Sequence, residues 1–101
     1  MATTAKALFR GAATTGLTTT LYTVPASTTA IVTNIVVANT AAAAATFDIS
    51  LDGVKLFDAV AIAADTTIVV DLKQVLTTTK IVAGGASATT VNFHISGVEI
   101  V

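Results

Sequence analysis

Along most of this chain the apolar positions recur every second residue. The pattern is clearest at Thr46-Phe47-Asp48-Ile49-Ser50-Leu51-Asp52-Gly53, where Phe47, Ile49 and Leu51 alternate with Asp48, Ser50 and Asp52. Strict alternation of this kind predicts a strand with one dry and one wet face. Asp52-Gly53 then supplies the two positive-φ residues of a tight hairpin turn into Val54-Lys55-Leu56-Phe57. Upstream, Ala30-Ile31-Val32-Thr33-Asn34-Ile35-Val36-Val37-Ala38-Asn39 is the most β-prone run. Ile31, Thr33, Ile35 and Val37 point one way, and Val32, Asn34, Val36 and Ala38 the other. Both faces are apolar, which predicts a strand covered on both sides, inside a sandwich or against a neighbouring subunit. Pro25 cannot donate to a ladder, so it marks the end or corner of the strand before it.

From Leu17 onward, turn signals come about every eight to twelve residues, the spacing of an all-β sandwich or barrel. The strands expected are Leu17–Val24, Thr29–Ala38, Ala45–Leu51, Val54–Ile62, Thr66–Leu72, Thr78–Ala83 and Thr89–Val101. Ala41–Ala45 has helical propensity but is too short to offset the cost of nucleation, and it follows the turn-forming Asn39-Thr40; a loop is expected. Leu72–Leu76 could form one helical turn, and Gly84-Gly85 is expected to break the chain. In the last strand Val91, Phe93 and Ile95 share a face until Gly97, after which Val98 and Ile100 fall in the phase of His94. That change predicts a bulge at Gly97 or a strand passing onto a neighbour.

Composition narrows the function. The 101 residues make one domain; 53% are hydrophobic and only 11% charged, against about a quarter charged in ordinary proteins. Alanine and threonine together make up about two-fifths of the chain. A surface this poor in charge favours association. The formal net charge of −1 offers no basic stripe for nucleic acid and no attraction to an anionic membrane. No cysteine is present, which excludes disulfides and thiolate metal sites. No apolar run approaches a bilayer span, and Met1–Arg10 lacks the apolar core of a secretory signal, so synthesis in the cytoplasm is expected.

No constellation points to catalysis. Asp48-x-Ser50-x-Asp52-Gly53 copies the opening of an EF-hand loop, but the closing acid falls at Ala59 and the flanks have strand periodicity. His94, Ser96 and Asp71 could suggest a hydrolase triad. Nothing around Ser96 resembles a nucleophile elbow, however, and the two side chains are about 7 Å apart along a strand. Asp58, Asp65, Asp71 and Glu99 are scattered. Neither Gly84-Gly85 nor Gly11…Gly16 has the strand-to-helix setting of a phosphate loop. No enzymatic activity, cofactor or metal is expected.

Leu21-Tyr22-Thr23-Val24-Pro25-Ala26, followed by Ala30–Asn39 and closed by Gly97-Val98-Glu99-Ile100, resembles a group of small structural proteins of tailed bacteriophages and prophages. The resemblance covers roughly residues 17–101 and implies a compact β-sandwich used as a building block of the virion.

The expected fold is therefore all-β, a single sandwich (jelly-roll or Ig-like) of about seven to eight strands over residues 17–101, with residues 1–16 as an extended N-terminal arm. The expected role is a capsid decoration (cement) protein of the virion that bridges major capsid proteins. The alternatives are a tail-fibre, neck or baseplate component, or a receptor- or carbohydrate-binding module, which the lack of Trp disfavours. Homo-oligomerisation is expected, with a trimer first. Leu8, Phe9 and Arg10 are the candidate assembly contacts, because an Ala/Thr/Gly arm buries too little of its own apolar surface to order itself. Ile35, Val37, Phe47, Ile49, Leu51, Val69, Phe93 and Ile95 form the expected core.

Overall fold

The computed structural model describes residues 2–101. Eight strands follow one another: β1 (Thr3–Ala12), β2 (Thr20–Thr23), β3 (Thr29–Asn39), β4 (Ala45–Leu51), β5 (Val54–Ile62), β6 (Thr66–Leu76), β7 (Ile81–Ala86) and β8 (Val91–Ile100). They form two four-stranded sheets, in the orders β1-β8-β3-β6 and β2-β7-β4-β5. Every pairing is antiparallel. This double-sheet order is that of a jelly roll, in which the chain repeatedly passes from one sheet to the other.

Local chemistry accounts for most of the elements. Asp52 and Gly53 both have positive φ, and Leu51 pairs with Val54 across the predicted two-residue turn. Ala41–Ala44 is irregular, as the short alanine run requires. Between the sheets lie Ile35 and Val37 from β3, Phe47, Ile49 and Leu51 from β4, Val82 from β7, and Val91, Phe93 and Ile95 from β8, all buried. The Phe47 ring meets Phe93 edge-on at 6.2 Å and Phe57 at 5.6 Å. Burial of this interior drives the fold.

Several expectations are corrected. Thr3–Ala12 is not a separate arm: it forms β1, an edge strand paired with β8 from Thr3↔Ile100 to Ala12↔Asn92. Backbone pairing to its own chain supplies the order that side chains this small could not, so residue 17 is no structural boundary. Val69 belongs to the outer phase of β6 and is 62% exposed. Leu72–Leu76 continues β6 instead of turning helically, because Gln74, Val75 and Leu76 pair with Val32, Ile31 and Ala30.

Gly84 and Gly85 lie inside β7, where the backbone is crowded. A Cβ on Gly84 would lie 2.3 Å from the Asp48 carbonyl oxygen, and one on Gly85 would lie 2.3 Å from that of Gly16. They are glycines for close approach, not for a chain break. Nor does β8 bulge at Gly97. The extra residues sit on its neighbours, Leu8 between Ala7 and Phe9 on β1 and Thr33 between Val32 and Asn34 on β3. Gly97 lies at the level where both bulges cross the sheet, and a Cβ there would come 2.3 Å from the Ile31 carbonyl oxygen and 2.8 Å from Leu8 Cδ1.

Candidate functional site

The three residues of the imagined hydrolase triad do not converge. His94 and Ser96 share the outer face of β8, but Ser96 is opposite Asn34 on β3, and Asn34 is in turn opposite Asp71 on β6. One whole strand thus separates Ser96 from Asp71, about 10 Å at ordinary strand spacing. Asp71 accepts a hydrogen bond from Asn34 Nδ2 at 3.2 Å. His94 lies one row away, between Arg10 and Val36.

The apparent calcium loop is also dispersed. Asp48 does not sit on a wet face as its alternation predicts; it is buried. Its carboxylate accepts a hydrogen bond from Lys55 Nζ, and Oδ1 accepts another from the Ala59 backbone N–H at 3.1 Å. Ala59 has φ of 48° and interrupts the β4–β5 register, since Phe47 pairs with Val60 but Ile49 pairs with Phe57. Asp48 is therefore the clamp of a bulge. The Lys55 ammonium, more than the Ala59 N–H, holds its carboxyl below the usual range against the opposing effect of burial. Asp52 instead pairs with Lys80 at 3.6 Å. Among the described residues, no group of three or more His, Asp or Glu side chains is placed to hold a metal ion.

Two polar devices escaped the sequence reading. Asn39 is buried at the end of β3, where Nδ2 donates to the carbonyls of Ala43 (2.8 Å), Ala63 (3.2 Å) and Ile62 (3.4 Å). Its Oδ1 accepts from Ala41 N–H at 3.1 Å. One amide thus ties two loops together; its position at the end of an apolar strand was the available signal. At the other end, the Tyr22 hydroxyl on β2 donates to Glu99 on β8, and Lys6 Nζ lies 3.4 Å from the same carboxylate. The Tyr22 hydrogen bond holds the Glu99 carboxyl down despite burial, with help from Lys6. Burial, reinforced by Glu99, pushes the Tyr22 phenol up. This link joins the two sheets.

Of the candidate assembly contacts, Leu8 is the buried bulge residue of β1 and Phe9 packs half-buried against the core. Both anchor the strand to its own sandwich. Arg10 alone is exposed, opposite His94.

Both sheets leave apolar side chains exposed, Val54 and Leu56 on β5 and Val69 and Val75 on β6. On the outer face of the β1-β8-β3-β6 sheet they line up across strands. The registers place Val98, Ile31 and Val75 in one row across three strands, and His94, Val36 and Val69 in another. Between them runs the polar row Ser96, Asn34 and Asp71. Val69 and Val75 are 62% and 64% exposed. Neither face read from β3 survives whole, because the Thr33 bulge shifts the strand's phase. Ala30, Val32, Ile35 and Val37 enter the core, while Ile31, Val36 and Ala38 are left half-buried on the outer face. An open hollow lined by Thr33, Asp71, Leu72 and Lys73 indents this face at the edge.

Comparison with protein-family models, with curated proteins and with solved structures returns no match.

Proposed function

We propose that this protein is a structural component of a tailed-bacteriophage virion, acting as a capsid decoration (cement) protein that bridges neighbouring major capsid proteins. The observation that carries this reading is the uncovered apolar outer face of the first sheet. Two of the segments that resemble phage structural proteins, Ala30–Asn39 and Gly97–Ile100, lie on paired strands in the middle of that sheet. Their outward side chains, Ile31, Val36 and Val98, are half-buried and form much of the face. A jelly roll serves capsid and lectin proteins alike, so the fold by itself does not choose between them. The chemistry of the face favours protein contact: apolar rows flank the polar row of Ser96, Asn34 and Asp71, and the face lacks the aromatic cluster of a sugar-binding surface.

The mechanism is linkage. A protein that binds the assembled shell, but not its unassembled subunits, stabilises the shell by mass action. The test is to quantify the chain in purified virions of the phage whose genome encodes it. Hundreds of copies per particle, with a shell that loses heat resistance when they are stripped off, is the expected result. Low tens of copies would move the protein to the tail or neck, and absence from virions would overturn the reading.

A further inference from the structure

A jelly roll has four edge strands, and three of them here are poor templates for pairing. β2 has only four residues. β1 carries Lys6, Arg10 and the Leu8 bulge. β5 carries Lys55 and is interrupted at Asp58-Ala59. The fourth edge, β6, runs for eleven residues. It carries a bulge of its own, with Leu72 and Lys73 opposite Thr33 alone between the Gln74–Val32 and Asp71–Asn34 pairs, but its half-buried/exposed alternation continues through that bulge from Thr66 to Lys73. A long edge strand with exposed valines presents unpaired backbone groups to any strand that can match it.

The sequence of this edge is close to a chemical palindrome about Leu72. In the antiparallel register that sets Leu72 opposite its own copy, Asp71 faces Lys73 of the second copy, and Val69 faces Val75. Ile68 then faces Leu76, and Thr67 faces Thr77; Val70 with Gln74 is the unlike pair. The axis cannot move one residue either way without penalty, because Asp71 would then face Asp71, or Lys73 would face Lys73. Like charges directly opposite one another destabilise a strand pair, and opposite charges stabilise it. Charge therefore selects one register, and shape agrees with it, since both exposed valines find an apolar partner.

We infer that β6 is a self-pairing edge, through which two copies of this chain join across a two-fold axis at Leu72 into one continuous eight-stranded sheet. The interface is isologous, as a two-fold demands. It also extends the apolar outer face. The row Val98–Ile31–Val75 of one copy meets Val69 of the other, so that the rows run on across the axis. The open hollow lined by Thr33, Asp71, Leu72 and Lys73 lies on that axis. The inference does not depend on the virion reading, and its test uses no particle.

The test is charge exchange on the full chain, read by sedimentation equilibrium. Asp71→Lys places lysines at both positions and Lys73→Asp places aspartates at both. Each alone confronts like charges twice per dimer and is expected to weaken dimerisation about tenfold or more. An equimolar mixture of the two variants is expected to form a heterodimer, and the double exchange D71K/K73D to dimerise like the wild type. Val69→Lys attacks the same interface at an exposed site that bears no charge and should also dissociate it. Thermal melting of each variant confirms that it is folded. A wild-type chain that sediments as a 10.1 kDa monomer at several hundred micromolar overturns the inference. So does a dimer or larger oligomer that both single exchanges leave intact, or a mixture that fails to associate.

Discussion

Phe93 and Asp48 show how far a single residue's type predicts its surroundings. Phe93 sits in an alternating apolar strand and is fully buried as that pattern requires, with its ring edge-on to Phe47. Its replacement by alanine should cost about 3–5 kcal/mol, through lost transfer energy and the cavity left behind. Chemical denaturation of the isolated domain should show this as a lower midpoint with an unchanged slope; a loss under about 1 kcal/mol would mean that the neighbours collapse into the space. Asp48 alternates as a solvent-facing residue should, yet it is buried because a bulge on the adjacent strand presents an N–H and a lysine to it. Alternation reports the phase of a strand. It does not report what the neighbouring strand brings to that phase.

At the scale of elements, β1 carries the largest revision. Its composition suggests a frayed arm, but its backbone pairs along β8 and its bulge residue Leu8 enters the core. Deleting residues 2–12 would strip one neighbour from β8 and open the interior beside Leu8. We therefore expect the truncated chain to be unfolded, or to melt far below the full-length protein, by circular dichroism. A truncated chain that melts like the full-length protein would show that β1 is dispensable and that the segment is free to lie elsewhere. The glycines teach the same lesson in reverse. Gly84-Gly85 suggests a break, yet both residues pair within β7, because carbonyls of Asp48 and Gly16 occupy the space a side chain would need.

Across the whole molecule, the sheets are joined at one end by Tyr22 and Glu99, and a buried carboxylate, Asp48, clamps an edge. Both acids have folded pKa values below their unfolded values of about 3.9 for Asp and 4.3 for Glu. Their contribution to stability is complete above those unfolded values and is lost as the pH falls through the folded ones. Tyr22 has the opposite sign. Its folded pKa is raised, so its contribution is complete below about pH 10 and is lost as the pH rises through the raised value. The melting temperature should therefore be level near neutrality and fall on both sides. Glu99→Gln should flatten the acid limb and Tyr22→Phe the alkaline one; an acid limb of wild-type steepness in Glu99→Gln would remove the carboxylate from this role.

The sequence by itself determined the period-two pattern, the strands near residues 20, 30, 46, 55 and 91, the Asp52-Gly53 hairpin and most of the core, because these depend on side chains within a few residues of one another. It also carried the charge-poor composition that makes association the expected behaviour. Only the tertiary structure decided which strands are neighbours, and with that the jelly-roll order, the place of Thr3–Ala12 as an edge, the inward turn of Leu8 and the exposure of Val69. Those outcomes depend on backbone hydrogen bonds between segments far apart in the chain. Every residue type offers the same N–H and C=O, proline's missing N–H aside, so side-chain identity carries little information about the partner each will find.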